Sequence, residues 1–233
     1  MSATRAPVFQ AAVVTRPKLR RAVVALETLL AVLIGYAITQ AAKTALDVFL
    51  GNYPKPQSAA PPATVALLFV ALLATIIPFF HGAHRHLELM HLDSTATFNW
   101  RVFLADYVFL FLEGVAFTAV GLSVANIIHF VTACIALMTI DLVWAGMSLA
   151  VVARTHVSPN TRYLWVWVGL DIATVVGLSI ISLVWHYRTP SLLAVPIGNQ
   201  AAGWICAGAF LRTILDYGVN RDVYFPSDIA NDA

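Results

Sequence analysis

The chain has 233 residues, of which 60% are hydrophobic and 11% charged, with a formal net charge of +2. Soluble globular domains carry about 25% charged residues, so a water-soluble fold is excluded. Disorder, which needs low hydrophobicity and high charge, is excluded too. So is a nucleic-acid binder, since no basic footprint exists beyond one short N-terminal cluster.

A helix needs about 20 apolar residues to cross a bilayer. In chain order the candidates are Ala22–Ala42, Ala63–Phe80, Val102–Val124, Phe130–Ala153, Tyr163–Trp185 and Leu192–Leu215. The first is longer than the 7–15 apolar residues of a signal peptide's core and is read as a membrane helix. Asn52-Tyr53-Pro54-Lys55-Pro56, Ser158-Pro159-Asn160 and Thr189-Pro190-Ser191 mark turns. A short stretch around Asn126 and His129 joins the third and fourth spans. The expectation is an all-α integral membrane protein, a bundle of six transmembrane helices over residues 22–217. A basic arm, 1–21, precedes it, and a short mobile tail, 218–233, ending in Asp228 and Asp232, follows.

Basic residues gather on the cytoplasmic side of membrane proteins. With six spans, one side receives Arg5, Arg16, Lys18, Arg20, Arg21, Arg85, Arg101, Arg154, Arg162, Arg212 and Arg221. The other receives Lys43, Lys55 and Arg188. Both termini are therefore expected inside. Trp100, Trp165, Trp167 and Trp185 lie near span ends, where interfacial tryptophans concentrate.

Ionisable residues inside a span are costly and mark function by default. The spans hold Glu27, Asp106, Glu113, Asp141, Asp171 and Arg212. Asp106, Glu113, Asp141 and Asp171 form the expected intramembrane ion path. Arg85 and Arg212 are the expected charge partners of these carboxylates. The second helix is densest in signal: continued past Phe80, it puts His81, His84, Glu88 and His91 on one face, with His86 pointing elsewhere. That stripe is read as a cytoplasmic mouth or metal site, facing the acids across a cavity. Whether residues 81–98 are helical decides that reading.

The leading expectation is a channel or transporter that passes a small ion or a proton-coupled solute. The first alternative is a membrane oxidoreductase holding a metal ion or, less favoured, haem on its histidines. For haem, His129 and His186 share one depth and His81, His84 and His86 the other. Glu88-Leu89-Met90-His91 matches half of a di-iron pattern that needs two copies. The second alternative is a non-catalytic subunit or scaffold. Catalysis is not favoured: no phosphate-binding glycine loop and no His-Glu-x-x-His are present. The expected partners are the lipid bilayer and the small ion or solute. Gly203 and Ala207 form a small-xxx-small pair that suggests close helix packing, from which no oligomer is read. A homo-oligomer stays open without it. Cys134 and Cys206 differ in depth and are not expected to pair.

Overall fold

A computed structural model describes residues 16–53, 60–92, 98–155, 161–188 and 194–225, side chains excepted at 16, 155, 185–188 and 194–198. Arg5, Lys55, Asp228 and Asp232, the proline-rich turns and the side chains of Trp185, His186 and Arg188 lie outside that description. The described residues are helical and contain no strand. The helices are α1 (Arg16–Phe49), α2 (Pro62–Leu87), α3 (Trp100–Leu122), α4 (Ile127–Thr155), α5 (Arg162–Arg188), α6 (Ala194–Val219) and the short α7 (Arg221–Tyr224). A π-helical turn, Glu88–Leu92, prolongs α2. Among the described residues, five helices, α1 to α5, are long and apolar enough to cross a membrane.

The long helices close a ring in the order α1, α3, α4, α5, α6, α2. Apolar spacing explains the seams. On α1, Val23, Leu26, Leu30, Ile34, Ala37, Ala41 and Ala45 are buried at intervals of three or four residues, the stripe a helix presents to a neighbour. Two glycines let α3 lie against it. A Cβ on Gly121 would stand 2.4 Å from the Ala37 carbonyl oxygen, and one on Gly114 would stand 2.5 Å from Leu33. Small residues that let backbones approach are the usual glue of membrane helices.

Pro61 and Pro62 open α2, where a missing N–H costs nothing. Pro78 sits inside it and cannot bond the Ala74 carbonyl one turn back. Thr213 on α6 makes good the loss: its hydroxyl lies 2.8 Å from the Ala74 oxygen and 2.9 Å from Ala209 in its own helix. Asn126 starts α4 by accepting from the N–H groups of Ile128 and His129, both at 3.1 Å.

The carboxylate, histidine and arginine network lies in the half of the ring where α1 begins and α2 finishes, while Lys43, Asp47, Thr64, Asn126 and His129 lie at the other end. Of the tail expected to be mobile, 218–233, the described residues 218–225 pack back against the end where α2 finishes. Asn220, Val223 and Tyr224 are buried, and Arg85 Nε donates to the Val223 carbonyl at 2.8 Å. Gly82 makes room for this fold-back: a Cβ there would meet Trp167 at 2.9 Å and the Tyr224 hydroxyl at 3.2 Å.

Candidate functional site

Three buried carboxylate layers stack inside the charged end. The outermost is built on Asp216, which is 3% exposed. It accepts from Trp167 Nε1 at 3.1 Å, Asn220 Nδ2 at 2.8 Å and the Tyr224 hydroxyl at 2.7 Å. Burial, then the nearby Asp216 charge, raises the Tyr224 phenol above its ordinary value, so the hydroxyl stays a donor. Asp216 falls just past the sixth predicted span. The spacing Arg212, Asp216, Asn220, one residue per turn, was the signal that could have found it. Trp167, expected at the interface, is buried because this carboxylate needs its N–H, whereas Trp165 is 63% exposed.

The second layer is Asp106. His91 Nε2 lies 2.7 Å from one carboxylate oxygen, and Trp144 Nε1 donates to the other at 2.8 Å. His86 Nε2 is 3.8 Å away, and its Nδ1 lies 3.4 Å from the Tyr163 hydroxyl. His86 and His91 are five residues apart, which in an α-helix points them about 140° apart at 3.6 residues per turn. The π-turn between them closes i to i+5 and brings both onto Asp106.

The predicted histidine stripe is therefore divided. His81 Nδ1 lies 3.1 Å from the Tyr217 hydroxyl. His84 pairs with Glu27 at 2.8 Å and faces Glu88 at 3.6 Å. His91 turns to Asp106, and His86, expected to point elsewhere, is the deepest of the four at 1% exposed. Arg85 does not join the intramembrane acids, because Glu88 one turn on takes its guanidinium. Among the described residues no three His, Cys, Asp or Glu side chains gather to hold a metal ion. His129, considered for haem, is exposed.

The third layer is the deepest. Arg212 Nη2 donates to Asp171 at 2.7 Å and lies 3.6 Å from Asp141. Glu113 is fully buried within electrostatic reach of Asp141 and Asp171, and neither of its oxygens has a hydrogen-bond partner. Removing one member of a buried ion pair typically costs 3–5 kcal/mol, so Arg212 fixes α5 to α6. Glu113 contributes nothing of that kind.

Among the described residues Asp106 of α3 is taken by Trp144 and His91 and Glu88 at the end of α2 by Arg85, while Glu113 has no donor; α2 meets α3 through packed rings, Phe79 on Phe117 at 4.8 Å. The space that does touch Asp141, Arg212 and Asp216 is about 10 Å³, room for one water. It joins the outermost layer to the deepest. Gly203, expected to pack closely, has nothing within 4 Å of where its Cβ would be. Compared with protein-family models, curated proteins and solved structures, the chain matches none.

Proposed function

We propose that the chain is a six-span membrane transport protein that carries protons, alone or coupled to a small ion or solute. In this reading α6 is the sixth span. Its 26 residues reach about 39 Å at 1.5 Å per residue, enough to cross, and it packs along α2. The charged end faces the cytoplasm, because Lys18, Arg20, Arg21, Arg85, Arg101, Arg154, Arg162 and Arg221 surround it.

The observation that carries the proposal is Glu113. A buried polar group without a hydrogen bond is costly; Asp106 and Asp216 accept on both oxygens and Asp171 on one. Glu113 accepts on neither, and it neighbours an Asp141–Asp171–Arg212 set. Three carboxyls and one guanidinium balance only when protons make up the difference, since net charge inside a bilayer is expensive. Protons reach this layer from Asp216 through the single-water gap at Asp141 and Arg212. Toward the far end the path stops at Leu72, Phe117, Phe130 and Leu137, all buried. A dry plug of that kind fits a carrier, which must rearrange to release its proton, better than an open channel.

Proteoliposomes loaded with a pH-sensitive dye test this under an imposed proton gradient. The wild-type chain is expected to collapse the gradient and Glu113→Gln to slow it at least tenfold while keeping its circular dichroism. Unchanged flux through a folded Glu113→Gln protein overturns the assignment. A wild-type chain without flux overturns transport altogether and favours the scaffold.

A further inference from the structure

The proposed proton path is shut at both ends. Leu72, Phe117, Phe130 and Leu137 close the far side. At the near side Asp216, where protons are to enter, is buried with donors on both oxygens. The cover over Asp216 has two parts. Trp167 belongs to α5 and cannot leave without moving a span. Asn220 and Tyr224 belong to a strap, residues 220–225, that follows α6 and lies against the end of α2.

Few groups hold the strap down. Its helix, α7, is a single turn of four residues, too short to be stable by itself. Val223 is the one aliphatic side chain it buries. The Val223 carbonyl takes Arg85 Nε at 2.8 Å, and the same guanidinium is anchored on Glu88. The Tyr224 ring lies 4.7 Å from the rings of His81 and Tyr217, and the Phe225 ring 5.9 Å from that of His81. The outer side is open, with Arg221, Asp222 and Phe225 exposed. Gly218, two residues before Asn220, is exposed and has nothing within 4 Å of where its Cβ would stand. Glycine is the residue least committed to a helical backbone, so the chain can turn there.

We infer that residues 220–225 are a lid on the proton path, closed on Asp216 in this structure, latched by Arg85, and lifted about Gly218 to let water reach that carboxylate. The inference rests on the proton-transport reading. Under that reading a path closed at both ends needs a moving part at its mouth, and the strap is the part of the cover that moves without a span. Lifting it exchanges the Asn220 and Tyr224 donors on Asp216 for water, so the carboxylate is left solvated and not orphaned. Arg85 keeps Glu88 when the Val223 carbonyl leaves, so the latch releases without stranding its charge. A lid at one end and a dry plug at the other describe a carrier that opens one end at a time.

The test locks the strap. His81→Cys and Phe225→Cys, in a chain without Cys134 and Cys206, are joined by a short bifunctional methanethiosulfonate; the neighbouring rings at these positions put both thiols within its reach. The reference is the same variant capped on each cysteine with methyl methanethiosulfonate, and circular dichroism checks the fold of both. The first readout is amidation of Asp216 by a water-soluble carbodiimide and glycinamide, mapped by mass spectrometry. It is expected to be at least fivefold slower in the linked protein. The second is collapse of a proton gradient in proteoliposomes, expected to be at least tenfold slower. Arg85→Met, which keeps bulk and removes the latch, is expected to quicken amidation at least threefold in the otherwise unaltered chain. Equal amidation of the linked and capped forms overturns the lid, and unchanged amidation of Arg85→Met overturns the latch. Slowed amidation with equal flux overturns the lid's place on the proton path. A wild-type chain without flux overturns the transport reading instead, and amidation alone then decides whether the strap lifts from Asp216.

Discussion

Asp106 shows how much one carboxylate can hold when it is buried with donors on several sides. Its two oxygens satisfy His91 and Trp144, from the end of α2 and the middle of α4. Asp106→Ala leaves both donors buried and unpaired, at about 1–3 kcal/mol each. Asp106→Asn keeps an acceptor for Trp144, and a neutral His91 can accept from the new amide by changing tautomer. Thermal unfolding in detergent should therefore rank wild type above Asn and Asn well above Ala. If Asn is as damaging as Ala, the carboxylate is needed for its charge. Tyr224 makes a second prediction, this time in pH. Its phenol titrates above the ordinary value of 10 because of burial and then the Asp216 charge. The unfolded chain thus loses that proton first, and stability falls as pH rises past about 10. Tyr224→Phe should lessen that alkaline loss. None of this was legible at single residues: Asp106 was visible as an intruder in an apolar span, but its partners lie on other helices.

Among the elements, α2 departs furthest from a regular helix, and it does so twice. The π-turn Glu88–Leu92 carries one extra residue. Deleting Leu89 should restore a regular helix with His86 and His91 four residues apart, about 40° around it, so both stay on Asp106 and the unfolding temperature changes little. A deletion variant far less stable than the wild type would show that the wider turn itself is needed. Sequence periodicity grouped His84 with His91 because it assumed 3.6 residues per turn throughout, and nothing in the residue pattern announces the wider turn. Pro78 was the opposite case. The proline was plain in the sequence, but its compensation by Thr213 was not, because that hydroxyl comes from α6. A double-mutant cycle separates the two effects. Thr213→Val should cost about 1 kcal/mol alone and less when Pro78→Ala supplies an N–H to Ala74. Equal costs in both backgrounds would show that Thr213 serves its own helix through Ala209.

At the scale of the molecule, the apolar runs and the uneven arginines were readable because lipid imposes them on each span separately. The order of helices around the ring was not, because it depends on which small residues face a helix and which face a void. Gly121 and Gly208 look alike in sequence. The first sits 2.4 Å, by its missing Cβ, from the backbone of α1, and the second faces open space. Gly121→Ala should therefore wedge α3 off α1 and lower the unfolding temperature sharply. Gly146→Ala, with nothing within 4 Å, should be neutral or stabilising by up to about 1 kcal/mol through helix propensity.

The ring also commits the topology to a test. The three polar layers lie toward the end that carries the arginines, so the proposed proton path would have one wet mouth and one dry end. In the proposed six-span reading α1's start and α7 lie on the same side of the membrane, and the positive-inside rule puts that side in the cytoplasm. Asn52 and Arg221 are both exposed and stand at opposite ends of the bundle. In a background without Cys134 and Cys206, Asn52→Cys should react with a membrane-impermeant maleimide from outside intact cells. Arg221→Cys should react only after the membrane is opened. Labelling of Arg221→Cys from outside would reverse the bundle and hand protons to the acids from the external face. Labelling of both from outside would make the number of crossings between them even rather than odd, and would remove α6 as a span.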